Sequence, residues 1–368
     1  MMNIGIIGCG KLGICYSYCF ASANYKLYCY DINIQTLSNI KNSNFDFYEP
    51  GLKDMIDKYK DNITVCYDIK DVIYNCNVIF SFINTPSNKD GSFNHSFIDN
   101  FINEIISYGK SDFNKLIVIN STVTPEYCDK LLNKVKDYNY DICYNPSFIA
   151  QGTIIANIIN PEFIIVGSNN NSYEIIRNIY DKIVKNSNVS YNNMKLYEAE
   201  VTKIINNCFS TMKTSFINLV GDLIKSKGYN PDTVLEALSN NSVFGKKNMK
   251  YGYGYGGPCW PRDNKAFYNY IQNNINDRYI NFDICLMSDT NNKNHLMFQF
   301  NELKNIKEPI EFRYITYKDN SNILDESQKL ELALLLSDNG NEVIIYERTN
   351  IIQQLKNKYQ NKFTYIEI

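Results

Sequence analysis

Residues 3–13 read Asn3-Ile4-Gly5-Ile6-Ile7-Gly8-Cys9-Gly10-Lys11-Leu12-Gly13, and this stretch decides the fold. A short apolar run ends in glycine, as a buried strand does before a tight turn. Residues 11–22 then carry a helical pattern, and residues 26–30 (Lys-Leu-Tyr-Cys-Tyr) a second strand. The three glycines fit G-x-G-x-x-G between strand and helix, where a dinucleotide fingerprint has to sit. Gly8 permits the turn, Gly10 lets the backbone approach a pyrophosphate, and Gly13 allows close helix–strand packing. The helix N-terminus beside Leu12 offers free N–H groups and a positive dipole end. Asp31 closes the second strand, where a carboxylate can accept both ribose hydroxyls and would repel a 2′-phosphate. NAD is therefore expected rather than NADP.

Outward from this unit, further strands are expected at 62–66, 77–83, 115–120, 140–144 and 163–167, with helices between most of them. Alternating strands and helices predict an α/β, doubly wound, mainly parallel sheet. After about residue 190 the pattern changes. Val201, Ile204, Ile205, Cys208, Met212, Phe216, Leu219, Val220 and Leu223 recur at helical spacing and predict one long helix, with another over 232–238. The polar, Asn- and Lys-rich stretch 290–308 reads as a linker. Beyond it, 309–317 and 342–346 read as strands, and 326–338 reads as a helix that Gly340 would terminate. Three domains are expected: a Rossmann domain over 1–190, a helical domain over 191–290 and a small, Rossmann-like α/β domain over 291–368.

The bulk composition excludes several classes. A formal net charge of −2 gives no basic stripe for nucleic acid, and no apolar run approaches the length of a membrane span. Residues 1–8 read as a strand, so no leader is expected. Eleven cysteines lie at irregular spacing and only two histidines are present, His95 and His295. Neither a zinc site nor a disulfide scaffold is expected, and no metal; reduced thiols in a cytoplasm fit better.

The segment Tyr251-Gly252-Tyr253-Gly254-Tyr255-Gly256-Gly257-Pro258-Cys259-Trp260-Pro261-Arg262-Asp263 is the most unusual. Its glycines predict a loop whose backbone a ligand can approach. Pro261 suits the first turn of a following helix. Cys259 would then lie at a helix N-terminus and beside Arg262, both of which favour a thiolate.

These pieces resemble the UDP-glucose/GDP-mannose dehydrogenase family over nearly the whole chain. The resemblance rests on Gly8 to Gly13, Tyr48-Glu49-Pro50-Gly51-Leu52, Asn84-Thr85-Pro86 with Asp90-Gly91-Ser92, and Ser121-Thr122-Val123. It continues through Asn145-Pro146 to Gly152, Asn160-Pro161-Glu162, Glu198-Ala199-Glu200 with Lys203 and Asn207, the block Gly256 to Asp263, and Lys318 with Ser327. It implies a cytoplasmic, NAD-dependent oxidation of a nucleotide sugar's primary alcohol to the carboxylate, with UDP-glucose expected and GDP-mannose or a UDP-N-acetylhexosamine as alternatives. A degenerate homologue that binds NAD and sugar nucleotide without turnover is a further alternative. Cys259 would capture the aldehyde covalently. Lys203 and Asn207, one helical turn apart, would stabilise the oxyanion. Asp263 would position water, and Thr122 would lie near nicotinamide and substrate. Thr85 and Pro86 would border the cofactor. Phe148, Tyr251, Tyr253, Gly256, Gly257 and Lys318, together with Lys203 and Asn207, would contact the substrate. A homodimer through the long helix and a setting in polysaccharide biosynthesis are also implied.

The chain departs from the family pattern at three places. Ser147 stands where the family has a proton-handling glutamate, Gln151 where many members have a second glutamate, and Val243 where an arginine reaches the substrate of a neighbouring subunit. The last domain is also expected to be short, ending at Ile368.

Overall fold

The computed structural model describes the chain except Met1, Asp46, Ala150, Gln151, Arg278 and Asn320; Gln151 therefore lies outside the described residues. The chain divides into two compact units, Met1–Lys203 and Ile204–Ile368. The second unit contains both the helical block and the small sheet that the sequence assigns to separate domains.

The first unit is built on eight strands: β1 (Asn3–Ile7), β2 (Lys26–Tyr30), β3 (Ile63–Val65), β4 (Val78–Ser81), β5 (Lys115–Ile119), β6 (Tyr140–Tyr144), β7 (Phe163–Ser168) and β8 (Ser190–Met194). Their spatial order is β3-β2-β1-β4-β5-β6-β7-β8. Every neighbouring pair is parallel except β6 with β7. Strands β4, β5 and β6 are buried along their whole length because helices cover both faces, which is why they read as unbroken apolar runs. The order reverses direction between β1 and β4, and the crevice beyond their carboxyl ends is the place where such sheets bind ligands.

The long helix Leu196–Ser226 is unbroken over 31 residues and Gly221 does not interrupt it. In the second unit it is followed by the helices Pro231–Ser239, Trp260–Asn274 and Asp283–Leu303. A three-stranded parallel sheet completes the unit: β9 (Ile310–Arg313), β10 (Val343–Glu347) and β11 (Thr364–Glu367), in the order β11-β10-β9. Its core is Phe312, Ile315, Leu332, Leu336, Ile345 and Leu355 with their neighbours.

Two expectations need correction. Most of the stretch 290–308 is not a linker, since the helix Asp283–Leu303 runs through it. Its buried positions are Cys285, Ser288, Asn292, His295 and Leu296, so three polar residues interrupt the inward face and no continuous apolar stripe is left to read. The strand expected over 309–317 stops at Arg313, because Tyr314 takes a left-handed conformation with φ of 54°.

Candidate active site

In the first unit the fingerprint loop is packed as its glycines require. Gly8 has φ of +86°, and a Cβ on it would lie 3.0 Å from the Phe82 backbone. A Cβ on Gly13 would lie 2.2 Å from the Gly8 carbonyl oxygen, whereas one on Gly10 would meet nothing within 4 Å. Close packing thus surrounds Gly8 and Gly13, and open space surrounds Gly10 at the N-terminus of the helix Lys11–Ser22, beside half-buried Leu12. That combination fits a pyrophosphate approaching free N–H groups. The Asp31 carboxylate accepts N–H bonds from Cys9 at 2.7 Å and Asn33 at 2.8 Å, which fixes it at the end of β2.

The loops after β4 and β5 are joined beside this turn. The buried Thr85 hydroxyl donates to the Thr122 carbonyl at 2.7 Å, and Ser121 donates to the Ile83 carbonyl. Thr85, Pro86 and Thr122 are therefore held at the carboxyl ends of adjacent strands.

Half-buried Ser147 closes a hydrogen-bond network in the same unit. Its hydroxyl donates to Asn120 Oδ1 at 2.6 Å and shares a 2.9 Å bond with the Tyr16 hydroxyl. Burial pushes the Tyr16 phenol up from its ordinary value, so Tyr16 stays protonated at neutral pH. The Ser147 carbonyl accepts from Lys203 Nζ at 2.7 Å, and the ammonium lies 4.7 Å above the Phe148 ring. Two residues expected at the site, Lys203 and Phe148, are thus in direct contact.

Glu200 has a structural task. It is completely buried and accepts N–H bonds from Glu126 and Cys128, each at 2.7 Å, capping the helix Tyr127–Val135. Burial raises its pKa to about 7 and outweighs the N–H bonds. The folded state therefore favours the neutral acid, and the stability this contributes is full below about pH 4.5 and lost as pH rises through about 7. Neighbouring His95 has the opposite sign. Burial lowers its pKa to about 4, against the pull of Asp99, and its Nε2 accepts the Thr124 N–H at 3.2 Å. Its contribution is present above about pH 6.5 and lost as pH falls towards 4. Over the shared window the two slopes oppose each other. Glu200→Gln is expected to remove the falling slope, so that the urea midpoint rises more steeply between about pH 5 and 7 than in the parent protein. An unchanged profile would refute this assignment.

In the second unit the glycine-rich loop runs into the helix Trp260–Asn274, with Cys259 as its N-cap residue. The Cys259 carbonyl accepts the Asp263 N–H at 2.8 Å. Among the described residues, ten cysteines are buried and Cys259 is exposed. The helix N-terminus favours negative charge at this sulfur. Asp263 is completely buried. Its Oδ1 is held by Arg262 Nε at 2.9 Å and a terminal guanidinium nitrogen at 2.8 Å, and its Oδ2 by Asn207 Nδ2 at 2.7 Å. The Arg262 guanidinium is thus paired with Asp263, and Asp263 fixes the orientation of the Asn207 amide.

The loop glycines are needed for contact. A Cβ on Gly256 would lie 2.0 Å from the Glu326 carbonyl oxygen, and one on Gly257, at φ of +80°, would lie 2.6 Å from the Tyr317 ring. Asn292 holds the same loop by accepting the Tyr255 N–H at 2.9 Å and donating to the Tyr255 carbonyl at 3.0 Å. Tyr253 lies beneath the Lys329 ammonium, 5.3 Å from ring centre to nitrogen. Lys318 is exposed in the loop after β9. Ser327 caps the helix Gln328–Asp338, a role its position before a helical pattern makes readable. Val243 is 87% exposed. The supports Asn292, Lys329 and Tyr317 were not singled out in the sequence. Asn292 and Lys329 lie inside helices, where a polar residue ordinarily reads as a solvated face.

Residues 2–184 match the NAD binding domain of the UDP-glucose/GDP-mannose dehydrogenase family, and residues 197–292 match its central domain. The chain belongs to the UDP-glucose/GDP-mannose dehydrogenase family. Its cofactor is accordingly NAD, and the turn around Gly10 and Asp31 fits that dinucleotide. The chain is 27% identical over 279 residues to the UDP-glucose 6-dehydrogenase TuaD of Bacillus subtilis (strain 168), covering 72% of this chain and 58% of that protein. It is 25% identical over 381 residues to the UDP-glucose 6-dehydrogenase of Rickettsia bellii (strain RML369-C), covering 100% of this chain and 85% of that one. The chain thus spans less than two thirds of the first of these relatives. The solved structure of a UDP-glucose dehydrogenase from Pyrobaculum islandicum shares the fold, with a TM-score of 0.89 at 21% identity, over 100% of this chain and 86% of that chain. Among the described residues, no helix is long and apolar enough to cross a membrane.

Proposed function

We propose that this protein oxidises the primary alcohol of a nucleotide sugar to the carboxylate in two successive steps, with Cys259 as covalent nucleophile and UDP-glucose as the sugar nucleotide. The observation that carries the reading is Cys259, the one cysteine exposed among the described residues, held at a helix N-terminus behind a glycine-rich loop. The names of the two relatives support UDP-glucose. NAD would be held by Gly8, Gly10, Leu12, Gly13, Asp31, Thr85, Pro86 and Thr122 and would supply the hydride acceptor, one molecule for each of the two oxidations.

The chain's own groups do the rest. The Cys259 thiolate adds to the aldehyde carbon, and the carbonyl oxygen takes up a proton to give a thiohemiacetal. Oxidation of that species leaves a thioester, which water cleaves to the carboxylate and the free thiol. Lys203 and Asn207 stabilise the oxygen that becomes negative. Asp263 holds Asn207 in place for this task. Phe148, Tyr251, Tyr253, Gly256, Gly257 and Lys318 bind the substrate. The test is NADH formation with a panel of UDP-glucose, GDP-mannose and UDP-N-acetylhexosamines. UDP-glucose is expected to be turned over fastest, and formation of NADH from none of them would sink the proposal.

The Ser147 network bears on the last step. A serine bonded to Tyr16 and Asn120 is no general base, and losing one costs about 10²–10⁴-fold in rate. Hydrolysis is therefore expected to be slow, so that the acyl adduct on Cys259 accumulates during turnover. Mass spectrometry of the Cys259 peptide tests this; rapid carboxylate release with no adduct would reject it.

The active species is proposed to be a homodimer. Phe209, Phe216, Leu219 and Leu223 are large, exposed and on one long helix, and such a patch marks an interaction surface. Light scattering is expected to give twice the chain mass, and Phe216→Glu with Leu223→Glu to give half of that. A monomeric parent protein would contradict this. The free thiols support a reducing, cytoplasmic setting.

A further inference from the structure

Eight residues upstream of Cys259 the loop is held by a buried charged cluster that the chemistry above does not use. His295, 1% exposed, lies on the helix Asp283–Leu303. Its Nδ1 is 2.9 Å from both carboxylate oxygens of Asp222, and its Nε2 is 2.6 Å from the Gly252 carbonyl oxygen. Gln299 donates to the same carbonyl at 3.1 Å. The Tyr251 hydroxyl donates to Asp222 Oδ1 at 2.7 Å, and its ring meets the His295 ring edge-on with centres 5.5 Å apart. A Cβ on Gly221 would lie 2.0 Å from the Tyr251 ring, so that mid-helix glycine exists to admit the tyrosine.

The carbonyl of Gly252 can only accept, so Nε2 carries a proton. A carboxylate faces Nδ1, so a second proton lies between ring and carboxylate. The cluster is thus a charge-assisted bridge from the long helix, through imidazole, to the loop backbone. A buried pair of this kind is weak evidence for stability, and fixing one arrangement among several is its best-attested use.

We propose that Asp222 and His295 are positioning residues that hold Tyr251 and Gly252, and through them the loop leading to Cys259, in the shape that takes the nucleotide sugar. This rests on the substrate-binding reading of that loop. Asp222→Asn rebuilds the bridge without charge: Asn Nδ2 donates to an unprotonated Nδ1, while Nε2–H stays on Gly252. Asp222→Asn combined with His295→Phe keeps the ring volume and leaves no buried orphan charge, but removes the donor to the loop.

The experiment is amide hydrogen exchange of the peptide containing residues 251–257 in the full-length protein, with KM for UDP-glucose and for NAD measured on the same samples. The single variant is expected to exchange like the parent. The double variant is expected to exchange about tenfold faster or more in that peptide, as loss of a charge-assisted bond allows, with KM for UDP-glucose raised and KM for NAD unchanged. Loop exchange as slow as in the parent would overturn the inference. So would an equal rise across β9, β10 and β11, which would mean general loss of packing. A parent protein that makes no NADH from any nucleotide sugar would sink the proposed function, while the exchange comparison would still decide the clamp.

Discussion

Replacing Cys259 by serine is expected to abolish carboxylate formation, lowering kcat for the complete oxidation by ~10³-fold or more. The size follows from what the sulfur does. An aldehyde bound without a covalent partner has no tetrahedral carbon from which a second hydride can leave until water adds. A serine hydroxyl in the same place is not ionised at neutral pH and adds far less readily. The first oxidation does not use the sulfur, so the variant should still bind NAD and release small amounts of aldehyde. Two further features make the effect specific to this thiol. Among the described residues the other ten cysteines are buried, and burial pushes up the thiols of Cys15, Cys19 and Cys66, so none of these replaces it. Asp263 and Asn207 reach the same helix end through a 2.7 Å bond and are not altered by the change. Assay of carboxylate and aldehyde by chromatography checks the outcome, and carboxylate at the parent rate would refute it.

Replacing Gly13 by valine is expected to lower NAD affinity by about 10²-fold or more and to destabilise the protein by about 1–3 kcal/mol. A Cβ there would sit 2.2 Å from the Gly8 carbonyl oxygen, and that atom is backbone, so no side chain can turn away to relieve the clash. The strain must move the turn or the helix Lys11–Ser22. Either shift also disturbs the Cys9 N–H bond to Asp31, and hence the carboxylate expected to take the ribose. Gly10→Ala, where a Cβ meets nothing within 4 Å, is the control for folding: it should melt like the parent while weakening NAD. Calorimetric titration with NAD and thermal unfolding of the two variants measure both parts. Equal NAD affinity in Gly13→Val and the parent would contradict the packing account.

The first unit was legible because its chemistry repeats at short range. Strands β4, β5 and β6 are covered on both faces, so their apolar runs are unbroken, and the glycine spacing announces the turn after β1. Strand β8, Ser190–Met194, was not legible. It is an edge strand of Ser-Tyr-Asn-Asn-Met with no buried residue, and such a segment carries no strand signal. The helix Asp283–Leu303 was lost for the reverse reason: Asn292 and His295 face inward and bond to the glycine loop rather than pack, so the residues that hold that loop look like a solvated linker. Of the site, Cys259 was visible from its loop composition, whereas the lock on Ser147 was not. Tyr16 and Asn120 are far from Ser147 in sequence, and nothing in the local pattern of any of the three announces the bond they share.

The most direct test of the central claim, that one thiol carries the sugar through both oxidations, is the number of NADH formed per nucleotide sugar consumed, followed to completion with limiting UDP-glucose in the parent protein and in Cys259→Ser. The account predicts two in the parent and no more than one in the variant. Two from both would remove Cys259 from the chemistry, and one from the parent would mean that the reaction ends at the aldehyde.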